Sequence, residues 1–288
     1  MVYLNGRFVP SAEAQVPVTD RAFLFGDGIY EVVFGRDGRF AFWELHMQRL
    51  ARSAAEVELK VPLDSGQWLA VAERLWADAG CETGSLYLEV SRGVAPREHS
   101  FPERAEPTVV AFVKELKVAT EGDGEAALAV LLPDQRWLRC DIKSVNLLPN
   151  VLARQAAKRQ GGREAILVRD GLLTEGAATN LFLVRQGELW THPLDQHILP
   201  GVTRHVVLEE ARRLGIPIRL EAYPADELAL VDEVFVTGTT SHVLAIGEIL
   251  GHWRRSGPDP ITARLRQAYL GRLEAETMGA PHSAQSAG

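Results

Sequence analysis

The chain has 288 residues, 46% hydrophobic and 24% charged, an ordinary globular composition with room for one large or two medium domains. Its formal net charge of −7 argues against a nucleic-acid or anionic-membrane partner. Cys81 and Cys140 form no Cys-x-x-Cys pair or disulfide framework, the N-terminus does not read as a secretory leader, and no apolar run approaches the ~20 residues that span a bilayer, so a cytoplasmic protein is expected.

In chain order, Val2 to Pro10 reads as two short strands around Asn5-Gly6, a sequence that favours a hairpin turn. Thr19 to Gly28 is a Gly- and Asp-bearing loop, and Ile29 to Phe34 a strand. Trp43 to Val57 carries apolar residues at helical spacing. Asp64 caps a second helix that Gly80 ends. Strands follow at Gly84 to Ser91 and Thr108 to Lys114, separated by a polar loop. Residues 120–124 (Thr-Glu-Gly-Asp-Gly) form the expected linker between an N-terminal α/β domain, 1–119, and a larger C-terminal domain, 125–277. In that second part, strands are expected at Ala126 to Leu132, Glu164 to Val168, Leu181 to Val184, Glu188 to Thr191, Ile216 to Leu220 and Asp232 to Thr237. Helices are expected at Leu147 to Arg159, Arg204 to Leu214 and Pro260 to Glu276, with a disordered tail at 278–288.

Of 31 basic residues only five are lysines, so a lysine set among apolar residues draws attention. Lys143 lies in Arg136-Trp137-Leu138-Arg139-Cys140-Asp141-Ile142-Lys143-Ser144. Unlike arginine, lysine can lose its proton and attack a carbonyl, though alone it is equally a solvated lysine on a strand. Leu199-Pro200-Gly201-Val202-Thr203 leads into a helix whose free N–H groups could hold a phosphate, and Gly238-Thr239-Thr240-Ser241 adds hydroxyls and amides. Ordinary capping and an ordinary turn explain these two segments as well. Glu175, followed by Gly176, Ala177 and Ala178, could lie against a flat heterocycle and keep a pyridine nitrogen protonated, or be a plain turn glutamate. Tyr30, Arg97 and His99 could hold a carboxylate; the i, i+2 spacing of Arg97 and His99 puts both on one side of an extended loop. The histidines and cysteines show no metal-ligand spacing, and no P-loop, Gly-x-Gly-x-x-Gly or Gly-x-Ser-x-Gly motif occurs.

Five ordered segments, taken together, resemble a known family. They are Phe25 to Val33, Arg92 to His99, Arg136 to Ser144, Thr174-Glu175-Gly176 and Phe235 to Ser241. The chain is similar, from Tyr3 to about Tyr269, to the fold type IV pyridoxal-phosphate enzymes, and among these most to the D-amino acid transaminases. The resemblance implies a two-domain α+β or α/β fold, with a smaller N-terminal domain and a larger one built on a barrel-like sheet. It also implies a homodimer whose site lies between the domains. Lys143 would hold pyridoxal 5′-phosphate as a Schiff base and move the proton. Glu175 would pair with the pyridinium, and Arg49, Val202, Thr203 and Thr239 would bind the phosphate.

By the same resemblance, Asn180 and Leu199 would support the cofactor, Trp137 would line it, and Tyr30, Arg97 and His99 would trap the substrate α-carboxylate. A lysine buried beside arginines would favour the neutral amine. Two places depart from the pattern. Ala177-Ala178-Thr179 stands where a serine-rich run can stand, and Gly238 where a hydroxyl can. The reaction implied is transfer of the amino group from a D-amino acid to a 2-oxo acid. The alternatives are a branched-chain L-aminotransferase, an aminodeoxychorismate lyase, an (R)-amine transaminase and, outside catalysis, a phosphate-binding or interaction module.

Overall fold

The computed structural model of the chain describes residues 1–116 and 126–278. The expected linker and all of the expected tail except Met278 lie outside them. Among the described residues no helix is long and apolar enough to cross a membrane. The chain groups into two compact units, Met1–Val118 with Ile142–Asn146 and Leu273–Gly288, and Ala119–Asp141 with Leu147–Arg272. The first unit thus takes in a piece of chain, with Lys143 at its centre, that lies far along the sequence.

The first unit begins with β1 (Val2–Leu4) and β2 (Arg7–Val9), joined by Asn5 and Gly6 at φ 47° and 87°, the left-handed pair a tight hairpin needs. Then come α1 (Arg21–Phe25), β3 (Gly28–Arg36), β4 (Arg39–Phe40), α2 (Trp43–Glu56), α3 (Ser65–Ala79), β5 (Thr83–Ser91) and β6 (Thr108–Glu115). Their six strands form an antiparallel sheet in the order β2-β1-β6-β5-β3-β4. Alternation along the strands sends Ile29, Val33, Leu86, Leu88, Val90 and Ala111 into one core with Leu50, Trp68, Leu75 and Trp76 of α2 and α3. α3 starts at a capping box: Asp64 accepts from Gln67 N at 2.8 Å, and Gln67 Oε1 accepts from Asp64 N at 3.0 Å. The expected loop at 19–28 contains α1, a single turn capped by Asp20, whose side chain accepts from Ala22 N. One turn is too short to leave a 3.6-residue pattern.

The second unit holds β7 (Ala127–Pro133), α4 (Leu148–Arg159), β8 (Glu164–Arg169), β9 (Leu172–Gly176), β10 (Asn180–Arg185), β11 (Glu188–Thr191), α5 (Val202–Arg213), β12 (Ile218–Leu220), β13 (Tyr223–Pro224), β14 (Glu233–Gly238), β15 (His242–Ile249) and β16 (Trp253–Arg254). The last helix, α6 (Pro260–Met278), ends in the part grouped with the first unit. The strands form a ten-stranded half-barrel in the order β12-β11-β10-β14-β15-β7-β8-β9-β13, with β16 on β15. It is parallel at β11/β12, β15/β7 and β7/β8 and antiparallel at the other pairs. Its core includes Ile166, Leu183, Val236, Ile246 and Ile249, and Phe182 stacks on Phe235 at 4.9 Å. Several expectations need correcting: the strand expected at Ile216 to Leu220 spans only Ile218–Leu220, and β9, β13 and β16 add to those expected. β15 goes unforeseen because Val243 to Leu250 is a near-continuous apolar run without alternation. α5 begins at Val202 rather than Arg204.

Gly35 in β3 faces the Trp76 ring, and a Cβ there would fall 2.5 Å from Trp76 Cζ3. Gly35→Ala therefore forces the indole off its seat, and we expect a loss of about 1–3 kcal/mol in chemical denaturation. An unchanged midpoint would refute this packing.

Candidate active site

Lys143 is placed by its backbone. Residues 142–146 run beside the start of β3: Tyr30 N–H donates to Lys143 O at 3.0 Å, Val145 N–H to Gly28 O at 3.1 Å, and Ser144 bridges Ile29. Lys143 N–H also donates to Ser53 Oγ on α2 at 3.2 Å. The side chain is half-buried, and its Nζ lies 4.2 Å from the centre of the Tyr30 ring. Arg136 and Arg139 are taken up by carboxylates, Arg136 by Asp134 and Glu175, Arg139 by Asp141.

Behind Tyr30 the next residue of β3, Glu31, points the other way, into the helices. It is fully buried and accepts from Arg49 Nε and Nη2, each at 2.7 Å, and lies 2.8 Å from His46 Nδ1. Burial alone would raise the Glu31 pKa, but Arg49 and His46 hold it down to about 2. Burial lowers the His46 pKa, with Glu31 opposing. Arg49, one of the expected phosphate ligands, is thus oriented from behind by a carboxylate. The α2 face that carries it reads as apolar at Leu45 and Leu50 in sequence, yet buries His46, Arg49 and Ser53.

The second unit is built around Glu175. Sequence left open an exposed turn; the residue is instead buried in β9. Its carboxylate accepts from the Arg136 guanidinium, from Asn180 Nδ2 at 2.7 Å and from Leu199 N at 3.1 and 3.2 Å. Burial pushes its pKa up to about 7, against the pull of Arg136 and the Leu199 N–H. A cationic ring nitrogen beside it would favour the ionised form. Asn180 also donates to Leu199 O at 2.8 Å, so the expected cofactor-supporting pair acts on Glu175 directly.

Arg136 had no role assigned from sequence. It bridges Asp134, Glu175 and His197 O, and only the fold brings those partners together.

The start of α5 fits an anion. Gly201 is its N-cap with extended backbone and no side-chain cap, so no side chain satisfies the first-turn N–H groups, Val202 and Thr203 among them. Gly201 is required by closeness: a Cβ there would collide with Asn180 Oδ1. Thr203 therefore does not cap its helix; its hydroxyl is buried and hydrogen-bonded to Tyr269. Asn180 pairs with Thr237 across β10 and β14, and the Gly238–Ser241 turn bearing Thr239 follows directly. Helix start, carboxylate and hydroxyl turn thus sit at one end of the sheet. A buried carboxylate and uncapped helix N–H groups, both in the second unit, are groups that suit a phosphorylated pyridine.

Arg97 and His99 lie together on the exposed loop, each 5.4 Å from the Phe25 ring. Among the described residues neither side chain reaches Tyr30 through a hydrogen bond, ion pair or ring contact. Trp137 is exposed. Although histidine spacing gives no metal motif, the segment between β11 and α5 gathers the ligand atoms of His192, Asp195 and His197 within 4.8 Å of one another.

Residues 28–249 match the Amino-transferase class IV family, and the chain belongs to it. The D-alanine aminotransferase of Listeria monocytogenes serotype 1/2a (strain 10403S) is 38% identical over 273 residues, covering 93% of this chain and 94% of that protein. The D-alanine aminotransferase of Bacillus licheniformis is 37% identical over 277 residues, covering 96% and 98%. Among solved structures, the branched-chain aminotransferase of Thermoproteus uzoniensis with norvaline superposes with TM-score 0.83 at 28% identity, over 96% of each chain. That of Escherichia coli shares the fold at TM-score 0.86 and 24% identity, over 96% of this chain and 95% of its own.

Breaking the buried pair under Tyr30 should cost heavily. Glu31→Gln is expected to lose about 3–5 kcal/mol at pH 7. Because the folded-state pKa lies below the ordinary 4.5, this contribution is full above 4.5 and fades as pH falls toward 2. Urea denaturation of both proteins from pH 7 to 4 tests it; a gap that does not begin to narrow at the acid end would assign the cost to packing instead.

Proposed function

We propose that this chain moves the amino group of a D-amino acid, D-alanine or one like it, to a 2-oxo acid such as 2-oxoglutarate, in two half-reactions with pyridoxal 5′-phosphate as cofactor. The observation that carries this reading is the match to D-alanine aminotransferases over more than nine-tenths of both chains. When bound, the cofactor supplies an electron sink for charge developing at the substrate Cα.

Lys143 Nζ is the amine that anchors the cofactor and then carries the proton at Cα, a task that suits a flexible side chain. Glu175, steadied by Asn180, Leu199 and Arg136, accepts from the ring nitrogen. The Val202 and Thr203 N–H groups, with Thr239 and Arg49, hold the phosphate. Tyr30, Arg97 and His99 take the α-carboxylate, and Trp137 lines the cofactor. Cytoplasmic location and a homodimer complete the reading. Free Cys81 and Cys140 support the first, and exposed Val18 and Phe23, with Leu148 and Val151 on the other unit, support the second as apolar side chains a second copy would cover.

Protein mixed with pyridoxal phosphate should gain a visible absorbance band, and borohydride should fix the pyridoxyl group to Lys143, read by peptide mass. No band, or a label elsewhere, rejects the assignment. Glu175→Gln should slow turnover by on the order of 10²–10³. D-alanine should be used in preference to L-leucine and (R)-phenylethylamine with 2-oxoglutarate as acceptor; equal use of L-leucine would favour a branched-chain L-aminotransferase.

A further inference from the structure

β3 and β5 present unlike faces. One side, with Ile29, Val33, Leu86, Leu88 and Val90, packs on the helices. The other carries Tyr30, Tyr87 and Glu89. Tyr30 and Glu89 are direct cross-strand partners, which places their Cβ atoms roughly 4.5–5.5 Å apart. Tyr30 stacks on Tyr87 at 5.7 Å, and Tyr87 on Phe112 at 5.0 Å. With Lys143 Nζ over the Tyr30 ring, Glu89 stands one side-chain pair away from the reactive amine.

Glu89 lacks the cationic partner that several sequestered carboxylates have. Glu31 is paired with Arg49, Asp27 with Arg21 and Arg92, Glu175 with Arg136. The partner of Glu89 among the described residues is the Tyr87 hydroxyl, which donates to Oε2 at 2.6 Å, and no basic side chain pairs with it there. One hydroxyl satisfies one of about four acceptor positions on a carboxylate. The second carboxylate that acts on Glu89 electrostatically, Asp20, is held by neutral donors: Ser91 Oγ at 2.8 Å, Thr108 Oγ1 at 2.6 Å and Ala22 N at 2.8 Å. Burial raises the Glu89 pKa, Tyr87 opposes this and Asp20 adds to it. Half-buried Glu89 and buried Asp20 thus lie near each other, neither paired with a basic side chain among the described residues, beside two tyrosine rings whose faces also attract a cation.

We propose that Glu89, steadied by Tyr87, is the subsite for a positively charged substrate side chain, an alkyl ammonium or guanidinium. This rests on the reading of Lys143 as the cofactor's amine and adds a substrate class to it: basic D-amino acids beside small neutral ones. A guanidinium delivered there gains a charge-assisted hydrogen bond to Glu89.

The test uses an inert pair of probes, 5-guanidinopentanoate, which is arginine without its α-amino group, and pentanoate. Calorimetry on the pyridoxal-phosphate-loaded protein should show the guanidinium probe binding about tenfold tighter. Glu89→Gln should erase that advantage, and Glu89→Lys should reverse it in favour of hexanedioate. In turnover, kcat/KM for D-arginine relative to D-alanine should fall about tenfold in Glu89→Gln. Equal binding of both probes to the wild type, or an advantage that persists in both variants, overturns the subsite. Failure of the wild type to use D-alanine would strike the aminotransferase reading instead, and the binding arm is read without any turnover.

Discussion

A short stretch of backbone pairing places Lys143. Residues 142–146 lie against the start of β3, with Tyr30 N–H on Lys143 O and Val145 N–H on Gly28 O. Two main-chain hydrogen bonds set where the Lys143 side chain starts. The same strand then works on both faces by alternation. Tyr30 offers its ring to Lys143, while Glu31, one residue on, turns inward to hold Arg49 and His46. A shift of one residue in the register would exchange these roles.

Charge on the second unit follows a comparable economy. Arg136 touches Asp134, Glu175 and the His197 carbonyl, tying the β7 end to the segment that leads into α5. Glu175 in turn receives Asn180 and the Leu199 N–H. A buried carboxylate left alone would take up a proton; three donors keep it an acceptor poised near neutrality. Arginine suits these structural tasks because its planar group stays charged and binds carboxylates through two donors at once.

The α2 and α5 helices show how function bends ordinary patterning. α2 buries His46, Arg49 and Ser53 on a face that packing alone would fill with aliphatic residues. α5 starts at Gly201 without a side-chain cap, at a cost on the order of a few tenths of a kcal/mol relative to a good cap, and so leaves its first N–H groups available. Departures of this kind from the rules of stable helices are where a ligand is expected to complete the structure.

Local chemistry was legible in the sequence. Asn5-Gly6 announces its hairpin, Asp64 and Gln67 their capping box, Gly80 the end of α3, because each acts on neighbours a few residues away. The ordered motifs around Tyr30, Lys143, Glu175 and Thr239 pointed to the fold type IV aminotransferases, and the family match agrees. What sequence order hid is pairing at a distance: Glu31 with Arg49, Arg136 with Glu175, and the return of 142–146 to the first sheet. It also hid β15, whose apolar run has no period, and the isolation of Glu89, visible only when every arginine has been placed. Residue types set what chemistry the chain can do, because proton affinity and charge belong to the side chain. Only the tertiary structure decided which of them meet, because burial and pairing depend on distances that chain order does not contain.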